Sequence, residues 1–312
     1  MNDQALHRPG RPNQRPGGGR RPGPGQNQGV GVTATLEGTY TILGVDGIAG
    51  FNAAVKNYKS MGGGKQLEFV IASTDATPDS AIRAVRKLID QDKAQILISP
   101  LSGDEGIAVK NFSRTHPELT FINAASGAQE TTFPVPSPNF FRWNMDGAQW
   151  QVGLGDYAYN TKGYRKIATV AEDYSFVYTQ VEGLVLDFCR FGGQVTSRQW
   201  APLGTKDFAS TIAALPDDVD AIYLGLGGAD AVNFLNQYQQ AGGKAHLLDH
   251  GPPDRALGER RRKEGDDRHD RGERHGRHLG RSALEGVREA LSGGDACGQA
   301  FAEPGAARGQ LL

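Results

Sequence analysis

Residues 94–106 read AQILISPLSGDEG, and the stretch changes character halfway along. Residues 95–99 form a short apolar run rich in isoleucine, bounded by Pro100 and Gly103, the pattern of a strand buried on both faces of a parallel sheet. Ser102 then stands where a helix N-cap belongs, with Asp104 and Glu105 in the first turn and IAVKNF behind them, so the chain passes from strand to helix within a few residues. Strand ends in an open parallel sheet face a crevice. The unpaired N–H groups of a helix start point into it and suit a carboxylate or another polar ligand group. Capping alone is the competing role for Ser102.

The same alternation extends outward in both directions. Upstream, residues 30–35 alternate as a strand, 44–58 carry Ile48, Phe51, Ala54 and Val55 at helical spacing, 66–72 form the next strand, and 78–92 form a helix opened by Thr77. Downstream, the strand LTFIN at 119–123 ends in the small residues Ala124, Ala125, Ser126 and Gly127. A βαβ repeat joined by short loops requires right-handed crossovers and a parallel sheet with helices on both faces. Residues 131–144, TTFPVPSPNFFRWN, break the rhythm with prolines and an aromatic extended piece, and mark the passage to a second lobe. Beyond them the alternation restarts, with helices at 147–160, 175–191, 208–215 and 229–241 and strands at 166–171, 194–200, 221–225 and 246–248. The fold class expected is α/β, with two Rossmann-like lobes of parallel sheet flanked by helices, one over residues 30–138 and one over 139–248. A ligand held between them meets strand-to-helix loops from both sides.

Neither end resembles this body. Residues 1–29 are built of Arg, Pro, Gly, Gln and Asn without an apolar run, and 249–312 are dominated by Arg, Gly, Asp, Glu and Ala, so both are expected to be disordered. Their flavour is that of GC-rich codons translated out of frame, the alternative being genuine disordered tails. The net charge is −1, and no apolar stretch is long enough to span a membrane, which argues against stable membrane insertion.

The runs VGVTATLEGTYTILGVDGIAGFNAAV, DATPDSAIRAVRKLI, ILISPLSGDEGIAV, FINAASGAQETT, FRWNMDGAQ, EDYSF and KDFASTIAAL resemble, in this order, the type 1 periplasmic binding-protein superfamily. Within it, the likeness is to the branched-chain amino acid and amide receptors of ABC transporters. The resemblance covers residues 30–248 and implies two lobes joined by three crossover strands, closure around a small solute in the periplasm, and delivery to a membrane permease. It also implies that the C-terminal part is incomplete, because relatives continue past the strand at 246–248 with further helices and a third crossing. Apolar surface in both lobes is then left uncovered, with aggregation as the consequence.

Carried over by position, the resemblance places Tyr40 or Leu43 as a wall of the cleft and Ser102 and Gly103 in the serine-bearing loop, Gly103 falling where relatives carry the ligand-binding serine. Ala125 and Ser126, with their backbone N–H groups, would receive a carboxylate. Asp146 matches the acidic partner of an amino acid's ammonium, and Tyr174 matches the aromatic at the second lobe's lip. Gly227 and Gly228 stand where relatives often have a tyrosine, which would widen the site.

Each position has a structural rival. Asp146 precedes a helix and suits an N-cap. Tyr174, Trp143 and Trp150 suit interlobe core as well as a cleft, and tilt the solute toward a bulkier or aromatic molecule. Gly62, Gly63 and Gly64 follow a helix and precede a strand, the wrong order for a phosphate loop, and read as a turn. His269, His275 and His278 lie among Arg and Gly with nothing to fix a metal geometry. The body lacks a Gly-x-Ser-x-Gly elbow, an HExxH pair or a nucleophile partner for His116 and His246, so binding is expected rather than catalysis, with no cofactor. Nucleic-acid contact through the Arg/Gly-rich ends is the less favoured alternative, since those ends lack aromatics among their charges. A cytoplasmic ligand sensor on the same fold is the other.

Overall fold

The structure, a computed structural model, describes residues 28–60 and 67–249. The expectations for residues 1–27 and 250–312, for Gly62 to Gly64 and for the three tail histidines lie outside the described residues.

The described residues build two sheets, each parallel throughout. The first contains β1 (Gln28–Thr35), β2 (Leu67–Thr74), β3 (Ile96–Ile98), β4 (Thr120–Asn123) and β5 (Phe140–Arg142), in the order β2-β1-β3-β4-β5. Its helices are α1 (Thr41–Ser60), α2 (Pro78–Asp90) and α3 (Gly103–Ser113). Local chemistry sets these elements. In α2, Thr77 caps the first turn by accepting from the Ser80 N–H, Pro78 opens it, and Asp79 and Lys87 oppose the helix dipole at either end. Ala81, Ala84, Val85 and Leu88, at i, i+3, i+4 and i+7, form its buried stripe against Leu97, Val109 and Phe121.

A short connecting segment follows. It consists of α4 (Gly147–Trp150) and α5 (Leu154–Asp156), the latter running into a π turn at Tyr157–Thr161. The single helix expected over 147–160 is broken because Gly153 takes a left-handed conformation, with φ of 88°.

The second sheet has β6 (Lys166–Glu172), β7 (Gln194–Ala201), β8 (Ala221–Gly225) and β9 (His246–Asp249), in the order β7-β6-β8-β9. It is flanked by α6 (Ser175–Arg190), α7 (Ala209–Ala213) and α8 (Gly228–Gln240). Strand β6 reads KIATVAE, and every residue after Lys166 is buried, as a central strand covered on both faces requires.

The boundary expected between residues 138 and 139 shifts. Phe140–Arg142 pairs with β4 and belongs to the first sheet. Phe140 turns into the first lobe's core while Phe141 faces out, the alternation of an edge strand covered on one side. The prolines precede the sheet's last strand rather than the second lobe.

Both sheets change winding direction once. Strand β1 lies between β2 and β3, and β6 lies between β7 and β8, so each sheet has a switch point at which successive connections leave in opposite directions. Loops at the carboxyl ends of those strands frame the crevice where doubly wound sheets bind ligands.

Candidate functional site

The two switch points face each other. From the first lobe come Thr39 and Tyr40 after β1 and the Ser102 turn after β3, and from the second come Glu172, the last residue of β6, with the turn through Phe176, and Gly227 to Asp230 after β8. Contacts between the two sets close the seam. The Tyr40 hydroxyl donates to Glu172 Oε2 and lies 3.0 Å from the Tyr174 hydroxyl. The Ser175 N–H donates to Asp104 Oδ1 at 3.3 Å, the Ala229 N–H donates to the Thr39 carbonyl at 3.2 Å, and the Thr39 hydroxyl donates to Asp230 Oδ1 at 3.5 Å. Tyr40 and Ala76 join the second lobe's core around Tyr174, Val177 and Tyr223, so the seam is apolar behind its polar rim.

Burial, with Glu172 as the neighbouring charge, sets the electrostatics. Tyr40 is held far above the usual phenol range, first by desolvation and then by Tyr174 and Glu172. Tyr174 moves the same way through desolvation and then the nearby carboxylates, and burial also raises Asp230 and Glu105. The Glu172 carboxylate is 1% exposed, and its Oε1 accepts the Gly227 N–H at 3.0 Å.

The residues singled out from the sequence fall into two groups. Tyr40, Gly103 and Tyr174 lie on the seam. A Cβ on Gly103 would collide with the Ser175 hydroxyl and come within 2.7 Å of the Phe176 nitrogen, so glycine at this position lets the starts of α3 and α6 meet. Gly227 and Gly228 do not leave an open space. The ring of Tyr40 packs on them, its Cε1 2.9 Å from where a Cβ on Gly227 would stand.

The other residues are engaged within their own lobe. Ser102 is the N-cap of α3 in a capping box with Glu105, and its hydroxyl donates to the Ala76 carbonyl at 2.8 Å. Ser126 is wholly buried, its hydroxyl set against Gly106 of α3, while Ala125 is exposed and its carbonyl accepts from Asn144. Asp146 caps α4 in a box with Gln149 and pairs with Arg142 at 3.4 Å. Trp143 is 89% exposed, and Trp150 sets its edge against Phe176.

Sequence reading missed Glu172, Phe176, Thr39 and Asp230. Glu172 had a signal, being the acidic residue that ends an otherwise apolar buried strand at the carboxyl side, where the crevice opens. Phe176 fills the interlobe space over Gly127, with 2.6 Å between its Cδ2 and a Cβ placed there. An open groove of about 400 Å³ lies elsewhere, along the β2 edge between Glu37, Ser73, Asp75, Arg83 and Lys87, and no residue of the second lobe lines it. Among the described residues no group of three or more His, Cys, Asp and Glu side chains is placed to hold a metal ion, and no helix is long and apolar enough to cross a membrane.

A family model described as periplasmic binding protein matches residues 28–249. A solute binding protein of an ABC transporter from R. palustris, solved in complex with benzoate, is similar at 25% identity and a TM-score of 0.67, with 74% of this chain and 65% of that one covered. An ABC transporter substrate-binding protein from Sphaerobacter thermophilus is 27% identical with a TM-score of 0.61, over 72% of this chain and 62% of that one. A branched-chain amino acid transporter substrate binding protein from Streptococcus pneumoniae, in complex with isoleucine, shares the fold with a TM-score of 0.63 at 17% identity, over 72% of this chain and 64% of that one. This chain thus spans 65% and 62% of the length of the first two relatives. No curated protein matches it.

Proposed function

Because this chain belongs to the periplasmic binding protein family, we propose that it captures a small polar solute between its lobes in the periplasm and delivers it to the permease of an ABC transporter. The observation that carries this reading is the meeting of both switch points in one seam, with Tyr40 bonded to Glu172 and Tyr174 across it. Such a seam is where a solute would replace contacts that the lobes otherwise make to each other. Parting the lobes admits the solute and closure removes it from water, so affinity comes from groups supplied by both walls. The reading is one of binding without turnover. The solute is an amino acid, an amide or an aromatic acid, and the complexes of similar proteins with benzoate and with isoleucine support that range.

Tyr40, Gly103 and Tyr174 are assigned to the walls of this site, and Ser102, Ala125, Ser126 and Asp146 to the loops behind it. A thermal-shift screen of amino acids, amides and benzoates on the full chain tests the reading. A ligand at a hundred times its dissociation constant stabilises the fold by about 2.7 kcal/mol. A screen without any shift, confirmed by calorimetry without heat, would overturn it.

A further inference from the structure

We propose that Glu172 determines which solutes the seam accepts: its carboxylate receives a hydrogen-bond donor of the solute, an ammonium, an amide N–H or a hydroxyl, in the place that the Tyr40 hydroxyl occupies in the closed seam. The proposal rests on the reading of the seam as the solute site and adds the polarity of the solute's inner end. The two oxygens of Glu172 are held from different lobes. Oε1 takes the Gly227 N–H, which belongs to the same lobe and stays when the lobes part. Oε2 takes the hydroxyl of Tyr40, which belongs to the other lobe and leaves. The carboxylate therefore keeps its orientation while one donor is withdrawn, and a solute donor arriving at Oε2 replaces Tyr40 like for like. Its position at the end of a fully covered strand fixes it further.

The rest of the seam argues against an anionic group at this point. The charged side chains that bear most on the Tyr174 hydroxyl are Glu172, Asp104 and Glu105, all acidic. At three helix starts on the seam, N–H groups that could otherwise meet an anion already have an acceptor from the protein itself. Glu105 and the Ser102 hydroxyl cap α3, Asp104 receives the Ser175 N–H at the start of α6, and the Thr39 carbonyl receives the Ala229 N–H at the start of α8. What the second lobe's wall presents at Glu172 is acceptor chemistry, and a carboxylate brought against it would repel it.

Two matched pairs of probes, each differing by one donor, decide the matter by calorimetric titration of the full chain: L-leucine against 4-methylpentanoate, and 4-hydroxybenzoate against benzoate. The donor-bearing member of at least one pair is expected to bind about tenfold tighter or more. Glu172→Met, which keeps the length and removes the acceptor, should bring the members of that pair to within about threefold of each other. Tyr40→Phe, which removes the internal competitor, should preserve or widen the preference, and a merely structural role for Glu172 predicts no such opposition between the two variants. Equal binding of both members of each pair by the parent chain would leave the solute site standing and sink this proposal. So would a Glu172→Met variant that weakens both members of a pair alike. Failure of all four probes to bind removes the solute-site reading for these classes and this proposal with it. Should Glu172→Met not fold, Glu172→Gln, which keeps the shape and removes the charge, takes its place, and a preference for L-leucine over 4-methylpentanoate undiminished in that variant would sink the proposal.

Discussion

Tyr40 donates its hydroxyl hydrogen to the carboxylate of Glu172 across the seam between the lobes, joining residues 132 positions apart in the chain. The bond ties the loop after the first strand of one sheet to the end of the first strand of the other, at the two points where the sheets change winding direction. With the Ser175–Asp104 and Ala229–Thr39 bonds, it is one of the contacts by which the two lobes hold each other across the seam.

Removing that donor is the most direct perturbation of the seam. Tyr40→Phe keeps the ring on Gly227 and Gly228 but takes a hydrogen bond from a buried carboxylate. The expected cost is about 1–3 kcal/mol, the range for a buried polar group deprived of a partner. Thermal unfolding of the unliganded chain measures it, and an unchanged midpoint would show that water takes over the role of the phenol.

The glycine at position 103 is tested by adding atoms. Gly103→Ser adds a hydroxymethyl group whose Cβ meets Ser175 and Phe176 at the start of α6. The lobes should be wedged apart, at a cost of about 1–3 kcal/mol, with a larger radius of gyration by small-angle scattering. A scattering curve identical to the parent's would mean that α6 shifts without opening the seam.

The alternating strands and helices were legible because each element satisfies a short-range rule. Thr77 and Ser102 cap their helices where the sequence placed them, and buried strands such as Ala221–Gly225 announce themselves by an unbroken apolar run. The site was less legible because a cap and a ligand contact ask for the same residue types. Ser102 and Asp146 carry the chemistry of a binding loop, and the structure shows each of them capping a helix. Glu172 and Phe176 acquire their meaning only from what the opposite lobe brings to them. The lobe to which Phe140–Arg142 belongs was hidden for a related reason, since it is set by pairing with Phe121–Asn123 and not by anything local to the segment.

Apolar surface at the first sheet's edge predicts a colloidal defect. Among the described residues strand β5 pairs with β4 alone, Phe141 is 56% exposed beside Trp143, and Phe133 and Val135 stand exposed in the loop before them. An open edge flanked by aromatics is a template for pairing with another chain. The double variant Phe141→Thr, Trp143→Ser should raise the temperature at which light scattering begins, with little change in the unfolding midpoint because neither side chain is buried. An unchanged onset would place the sticky surface elsewhere.

Acid stability should depend on Asp220. Its carboxylate accepts the N–H groups of Arg165 at 2.7 Å and Lys166 at 2.9 Å, and these bonds hold it below the usual carboxylate range. A depressed value in the folded chain means that the stabilisation is complete above the unfolded value of about 3.9 and is lost as pH falls through the folded one. Asp220→Asn should therefore lower the midpoint near neutral pH and flatten its decline below about pH 4. Parallel acid limbs for parent and variant would show that other carboxylates, such as Asp218 beside Lys166, govern the loss.

Asp146 separates a capping role from a solute-binding one. Oδ1 accepts the Gln149 N–H at 2.9 Å and Oδ2 faces Arg142 at 3.4 Å, so both oxygens have partners within the first lobe and its connecting segment. Asp146→Ala should cost about 1 kcal/mol as a lost cap, and Asp146→Asn less, because asparagine caps equally well. If the cap is its whole task, Asp146→Asn changes the affinity for L-leucine or 4-hydroxybenzoate by less than about threefold. Were Asp146 instead the partner of a solute ammonium, removing the charge would cost about 2–5 kcal/mol, roughly thirty- to several-thousand-fold in affinity. Calorimetry on Asp146→Asn beside Glu172→Met resolves the two carboxylates. A large loss confined to the Asp146 variant, with its unfolding midpoint unchanged, would move the ammonium site from the second lobe's strand end to the connecting segment.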